Sequence, residues 1–370
     1  MTLPQAVIIS QKIHNGCKTY QNKHIMLKSY RVFNFIMSKA NLFFDKCKLF
    51  ALLIIGLPLL SCATVPHDIP LKGYRAFIAE EEESFISQYS PLFVIEGDGL
   101  TYNLIGTVIA DLDKNSKENI FIDHSRPTIY FDKRTFATGK GSYTNLIYRI
   151  HFSHVPFSLF PFYIGKGRNV GLLTIVTLNN KGEPVLYTIV HTCGCYISFI
   201  PTSYMSEGAY REKWNKTFQT VFGERLPGQL IFPDKLNRSF RPSFFISSGN
   251  HRVKDVWIEN LDHSERKYRI KKSKLLPMTS LSKLPLEGSR YTSFFEQSGN
   301  RKGYVKGSHK PWEKLMMSWW AFDWRIGEDK YLGKNRDDPP LFYTTLKPWD
   351  RKKSDMRDFT TFLEYWGWRL

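Results

Sequence analysis

No stretch of this 370-residue chain reaches the about eighteen consecutive apolar residues that cross a bilayer as a helix. Catalytic signatures are missing too: there is no GxSxG elbow, no Walker loop, no GxGxxG after a strand and no HExxH pair. Serine-hydrolase, P-loop, dinucleotide and zincin chemistries therefore have no anchor here. Cysteine is scarce, with five residues at Cys17, Cys47, Cys62, Cys193 and Cys195. Their spacing is neither a CxxC…CxxC zinc pattern nor a CxxCH haem site. Acid is in deficit: 52 Lys and Arg face 34 Asp and Glu, for a formal net charge of +18.

The longest apolar run, residues 49–60 (LFALLIIGLPLL), has the length of a signal-peptide core and follows Lys39, Lys46 and Lys48. Leu59, Leu60, Ser61 and Cys62 come next. This segment resembles the signal peptide and lipobox of bacterial lipoproteins, with Leu at −3, a small residue at −1, and then the cysteine. The resemblance covers this segment alone and identifies no functional family for the rest. It implies lipidation at Cys62, with residues 1–61 dispensable as N-terminal extension plus signal peptide. Residues 1–36 read as an extension upstream of the working start at Met37. Residues 62–72 would be a lipidated tether and residues 73–370 a single periplasmic domain, with a subdivision expected near 201–235. Ala63, rather than Asp, after Cys62 implies the outer membrane, facing the periplasm. Several acyl chains on one cysteine anchor stably where a single chain is marginal. The membrane, through that anchor, is the first expected partner, and the compartment argues against nucleic acid.

Residues 1–61 hold eight of the basic side chains and one acid, so their removal brings the net charge to +11. It also leaves Cys193 and Cys195 as the only free thiols in an oxidising compartment.

Residues 92–95, 102–109, 119–122, 128–131 and 143–152 read as short strands punctuated by turn residues such as Gly97, Asp98 and Gly99. Residues 170–178 (VGLLTIVTL) and 185–190 are apolar on both alternating faces, as strands covered on both sides are, and an Asn/Gly-rich connection joins them. The expected fold class is α+β, with a central, largely antiparallel or mixed sheet and aromatic-rich helices toward the C-terminus. Residues 111–116 begin like an EF-hand loop but lack the glycine and the closing glutamate, so a polar hairpin turn is expected.

The candidate site closes the second of these strands. If that strand continues, His191, Cys193 and Cys195 share one face, because side chains alternate with period two. Three readings are open. Two thiolates and an imidazole are three ligands for Zn or Cu(I), with His151 or His154 as the fourth. Alternatively, Cys193 and Cys195 form a strained, labile disulfide, provided Gly194 bends the chain. In the third reading all are small buried residues without chemistry. A hydrolytic Cys–His pair is not expected, since extended i, i+2 residues stand about 6.5–7 Å apart at Cα.

Three later segments carry further expectations. Residues 155–164 (VPFSLFPFYI) read as a buried irregular connection or a hydrophobic lip on lipid or ligand. Residues 264–274 (SERKYRIKKSK) read as a charged edge strand, or a basic surface for anionic lipid or an acidic protein partner. Trp312, Met316, Trp319 or Trp320, and Trp324 fall on one helical stripe, expected to pack on the sheet, with an interfacial helix as the alternative. A last helix is expected to be capped by Asp355 and to bury Phe359, Phe362, Leu363 and Trp366. Function then reads as a membrane-anchored periplasmic lipoprotein with a His/Cys/Cys metal or dithiol site. The alternative is an envelope structural module whose CGC stretch is inert.

Overall fold

The computed structural model describes residues 73–80, 84–159, 162–233 and 240–370. The expected leader, Cys62 and the expected tether, residues 1–72, lie outside the described residues. Sheet dominates, at 43% strand against 15% helix, so the α+β expectation holds only in its coarse form.

Strands run in chain order as β1 (Tyr74–Ala79), β2 (Leu92–Glu96), β3 (Thr107–Leu112), β4 (Glu118–Asp123), β5 (Thr128–Thr138), β6 (Gly141–Val155), β7 (Gly167–Leu178), β8 (Pro184–His191) and β9 (Ile197–Pro201). They continue as β10 (Phe218–Val221), β11 (Glu224–Pro227), β12 (Phe240–Ile246), β13 (Val253–Asn260), β14 (Arg269–Pro277), β15 (Leu284–Leu286) and β16 (Arg290–Thr292). The short helices are α1 (Phe85–Gln88), α2 (Leu261–Lys267), α3 (Pro311–Ala321) and α4 (Phe359–Tyr365).

Ten strands form one mixed sheet in the order β13-β12-β2-β1-β14-β5-β6-β7-β8-β9. The meander β5 to β9 is antiparallel throughout, with short connections except between β6 and β7, where residues 156–166 intervene. Across the centre, β14 pairs parallel with both β1 and β5, and β12 pairs parallel with β2. The sheet curls, which brings Tyr187 of β8 within 5.8 Å of Phe244 of β12, ring to ring. One core fills the curl, with Phe77, Phe93, Leu146, Tyr148, Ile189 and Phe244 buried in it. Leu226, Leu230 and Phe232 belong to the same core.

A second core lies on the other face of β5–β8, where Ile147, Leu173, Ile175 and Val190 point. The β3–β4 hairpin and the chain after residue 278 cover it, through Phe294, Phe362, Leu363 and Trp368. Strands β6 and β7 are sandwiched between two apolar cores, which is why their sequences show continuous apolar runs.

Three expectations need correction. Residues 269–277 form β14 in the interior of the sheet, not at an edge, while residues 264–267 end a helix. The charges on β14 fit a central strand because Arg269, Lys272 and Lys274 are exposed and only Ser273 is fully buried. The tryptophan stripe does not pack on the sheet: Trp319 is 70% exposed and Trp324 lies beyond the helix, which ends where Phe322 turns left-handed at φ 50. Finally, α4 buries Phe359, Phe362 and Leu363 as expected, but its cap is Asp358, which accepts from Thr361 N–H. Asp355 instead takes the Arg357 guanidinium.

Candidate dithiol site

The strand does not continue through the cysteines. Strand β8 stops at His191 and β9 begins at Ile197, leaving Thr192, Cys193, Gly194 and Cys195 as a tight connection. His191 N–H donates to Tyr196 C=O at 3.1 Å, and Gly194 N–H to His191 C=O at 2.7 Å. Gly194 sits at φ +83, in the left-handed region that glycine enters without steric cost. The position also demands a missing side chain, since a Cβ there would stand 2.2 Å from Tyr343 C=O.

This turn brings the sulfurs together where an extended strand would hold them apart. Each cysteine is free, and the two side chains hydrogen-bond to each other. Cys195 N–H also donates to Cys193 Sγ at 3.4 Å. Cys193 is 1% exposed, whereas Cys195 is only partly buried. His191 also hydrogen-bonds Cys193, and its Nε2 meets His251 C=O at 3.0 Å. The three groups singled out in the sequence thus converge on one sulfur, by way of a turn and not a shared strand face.

Four residues missed by sequence reasoning complete the surroundings. Lys310, immediately before α3, is buried beside Asp329, with Nζ 3.2 Å from Oδ2. Lys330 N–H donates to Thr192 C=O at 2.9 Å, and its Nζ donates to Cys193 C=O while sitting 4.3 Å from the Tyr343 ring centre. Thr192 Oγ1 donates to Asp329 Oδ1. Glu313, on the first turn of α3, points inward, and its Oε2 has no hydrogen-bond partner. Gly327 leaves room for it, because a Cβ there would stand 1.5 Å from Oε2.

The electrostatics follow from burial and neighbours. The hydrogen bond from Cys195 pulls the Cys193 thiol well below its usual range, against burial, with help from the Lys310 charge and His191. The same hydrogen bond, burial and the Cys193 charge push Cys195 well above its range. The two thiols are thereby pushed apart in acidity, Cys193 down and Cys195 up. Burial opposes the Lys310 charge, yet Asp329, Cys193 and Glu313 hold its pKa well above normal. Burial lifts the Glu313 carboxyl to about 7 against the pull of Lys310, and also raises Asp329.

The fourth-ligand candidates lie elsewhere. His151 Nε2 accepts from Arg149 Nε–H at 2.8 Å, so its Nδ1 carries the proton toward Val170 C=O at 3.3 Å. Neither nitrogen keeps a lone pair for a metal. Burial and the Arg149 charge hold this imidazole neutral, well below its usual pKa. His154 meets the Tyr102 ring at a tilt, 5.5 Å between centres, and Ser153 Oγ lies 3.0 Å from its Nδ1. Among the described residues, no group of three or more His, Cys, Asp or Glu side chains is placed to hold a metal ion.

No family model, no curated protein and no solved structure matches this chain.

Proposed function

We propose that this chain is an envelope-anchored thiol–disulfide exchange domain in which Cys193 and Cys195 alternate between dithiol and disulfide. One observation carries the reading: the pair is asymmetric, a buried Cys193 whose sulfur accepts from Cys195 N–H at 3.4 Å, beside a partly exposed Cys195. The surrounding charge supports it. Arg149, Lys310 and Lys330 are buried cations, faced by Asp329 and by a Glu313 that titrates near neutrality. Buried cations require a compensating anion, and the Cys193 thiolate supplies one.

The chemistry balances as an exchange with client dithiols. A client thiolate attacks the Sγ of Cys195, the less buried residue of the pair, in the Cys193–Cys195 disulfide. The S–S bond breaks, and Cys193 leaves as the thiolate that Lys310 and His191 stabilise; a leaving thiol of low pKa leaves faster. The second client thiolate attacks the client sulfur of the mixed disulfide. Cys195 departs and takes up a proton, the client gains a disulfide, and the pair is reduced. A disulfide closed across one residue is strained, and a stabilised reduced form makes it more oxidising still. The lipobox-like segment ending at Cys62 supports a membrane location, in a compartment where disulfides persist.

The competing reading, a structural module with inert thiols, draws on the burial of Cys193. Thiol titration of the native protein, with metal analysis of the same sample, separates the two. Exchange predicts that the pair is modified by thiol reagents in the native protein and that a Cys193–Cys195 disulfide forms on oxidation. Two thiols that stay unmodified and unoxidised would sink the proposal, as would a retained stoichiometric Zn or Cu(I) that blocks both.

A further inference from the structure

Helix α3 faces the wrong way for a helix that only packs on a core. Its polar residues Glu313 and Ser318 are buried, whereas Leu315 and Trp319 are each 70% exposed. Trp312, Leu315, Trp319 and Phe322 fall at i, i+3, i+7 and i+10, which makes one stripe. Phe322, in its left-handed turn, is 76% exposed. The stripe continues into the loop before β7, where Phe157 and Leu159 are exposed and the Phe157 and Phe162 rings lie 6.4 and 5.8 Å from Trp312. Large exposed aromatics in one contiguous area signal an interaction surface.

Cations frame this area. Lys166 Nζ sits 5.1 Å from the Phe157 ring centre, and Lys314 is exposed on the flank of α3. Beyond the helix end, Arg351 donates to the carbonyls of Ala321 and Phe322, fastening a segment that exposes Trp349, Lys352 and Lys353. Tryptophans with a lysine rim match the headgroup zone of an anionic bilayer, which takes amphipathic rings and cations together.

The start of the described chain lies at the same end of the fold. Gly73 C=O accepts from Gly97 and Asp98 N–H at 2.7 and 2.9 Å. Gly97 C=O accepts from Asn103 Nδ2, which also reaches Ser248 Oγ at 2.9 Å. Ser248 C=O in turn accepts from Tyr163 OH at 3.4 Å, inside the apolar loop. A chain tethered to a membrane ahead of Gly73 would therefore present this side to it. Among the described residues, no helix is long and apolar enough to cross a membrane, so the contact is one of lying on the surface.

We infer that the outward stripe of α3, with the Phe157–Leu159 loop, docks the domain face-on to an anionic lipid bilayer. This contact is separate from the thiol pair but fixes how the pair meets its clients, because the inner side of the same helix carries Glu313.

The test uses full-length protein with vesicles of phosphatidylcholine, with or without phosphatidylglycerol, and brominated acyl chains that quench tryptophan fluorescence. Docking predicts quenching that needs phosphatidylglycerol and is mostly lost when Trp319→Phe and Trp324→Phe remove the reporters. Leu315→Glu, at an exposed position that leaves far-UV circular dichroism unchanged, should abolish quenching of the remaining tryptophans. Equal quenching without phosphatidylglycerol, or in the Leu315→Glu variant, would overturn the inference. So would a concentration-dependent dimer that Leu315→Glu dissociates without any lipid quenching. Vesicles added to protein lacking the acyl anchor, through Cys62→Ser, keep failure of the anchor distinct from failure of the docking face.

Discussion

Replacing Glu313 by Gln should change how stability depends on pH more than it changes stability itself. Glu313 is buried at the thiol site with Oε2 unpartnered, and its carboxyl is pushed up to about 7 from 4.5. A folded-state pKa above the unfolded one means that folding favours the protonated form. The associated stability is fully present below pH 4.5 and is lost as pH rises through 7. That displacement corresponds to about 3 kcal/mol. Glutamine mimics the protonated acid in shape and cannot ionise. Urea unfolding at pH 5, 6, 7 and 8 is the assay. Relative to the Gln variant, the native protein should lose about 3 kcal/mol across this range, the variant being the more stable of the two at pH 8. Removing the carboxylate charge, which raises Cys195, should also make that thiol easier to ionise. A difference between the two proteins that does not vary with pH would refute the account of this buried carboxyl.

Acid acts through a different residue. Burial, with the nearby His191 charge, depresses His251 to about 3, so its stabilising contribution is intact above the unfolded value near 6.5 and is lost as pH falls toward 3. Thermal melts at pH 7.5 and 4.5 should show an acid loss of several kcal/mol that His251→Asn removes, Asn being tolerant of the residue's φ of 54. Gly194→Ala should cost about 2 kcal/mol or more, because it meets both a positive φ and the Tyr343 carbonyl, and should equalise the two thiols in alkylation rate. Phe362→Ala, at a fully buried position, should cost about 3–5 kcal/mol in chemical denaturation, whereas Trp319→Ala should change stability by less than about 0.5 kcal/mol.

The sequence was legible where the two faces of a strand agree. Strands β6, β7 and β8 lie between two cores, so their apolar runs announce them, as do the turn residues between them. Strands β12 and β13 escaped notice, and β14 was read as an edge, for the opposite reason. β14 reads RIKKSKLLP and looks like a solvated edge, yet it joins β1 and β5 in parallel through pairings such as Arg75 with Arg269 and Thr128 with Lys274, far apart in the chain. No local period encodes such partners. At the site, the short connection between two apolar strands, with Gly194 in third place, was a hairpin signal that an extended reading overrode. Lys310 and Glu313 were invisible because helical periodicity locates two faces of α3 without saying which is inside, and Asp329 and Lys330 because they reach the site from a later loop with no period of its own. Here the polar face is inward, and that inversion supplies both the buried charge around the thiols and the apolar surface outside.

Equilibration of the purified protein in glutathione redox buffers, with alkylation and mass analysis of the peptide holding Cys193 and Cys195, tests the central claim most directly. The account predicts a reversible intramolecular disulfide, lighter by two hydrogen atoms, that forms only under conditions more oxidising than its glutathione partner, with Lys310→Met shifting the equilibrium further toward the disulfide. Thiols that remain reduced at every ratio, or a disulfide too stable for glutathione to open, would contradict it.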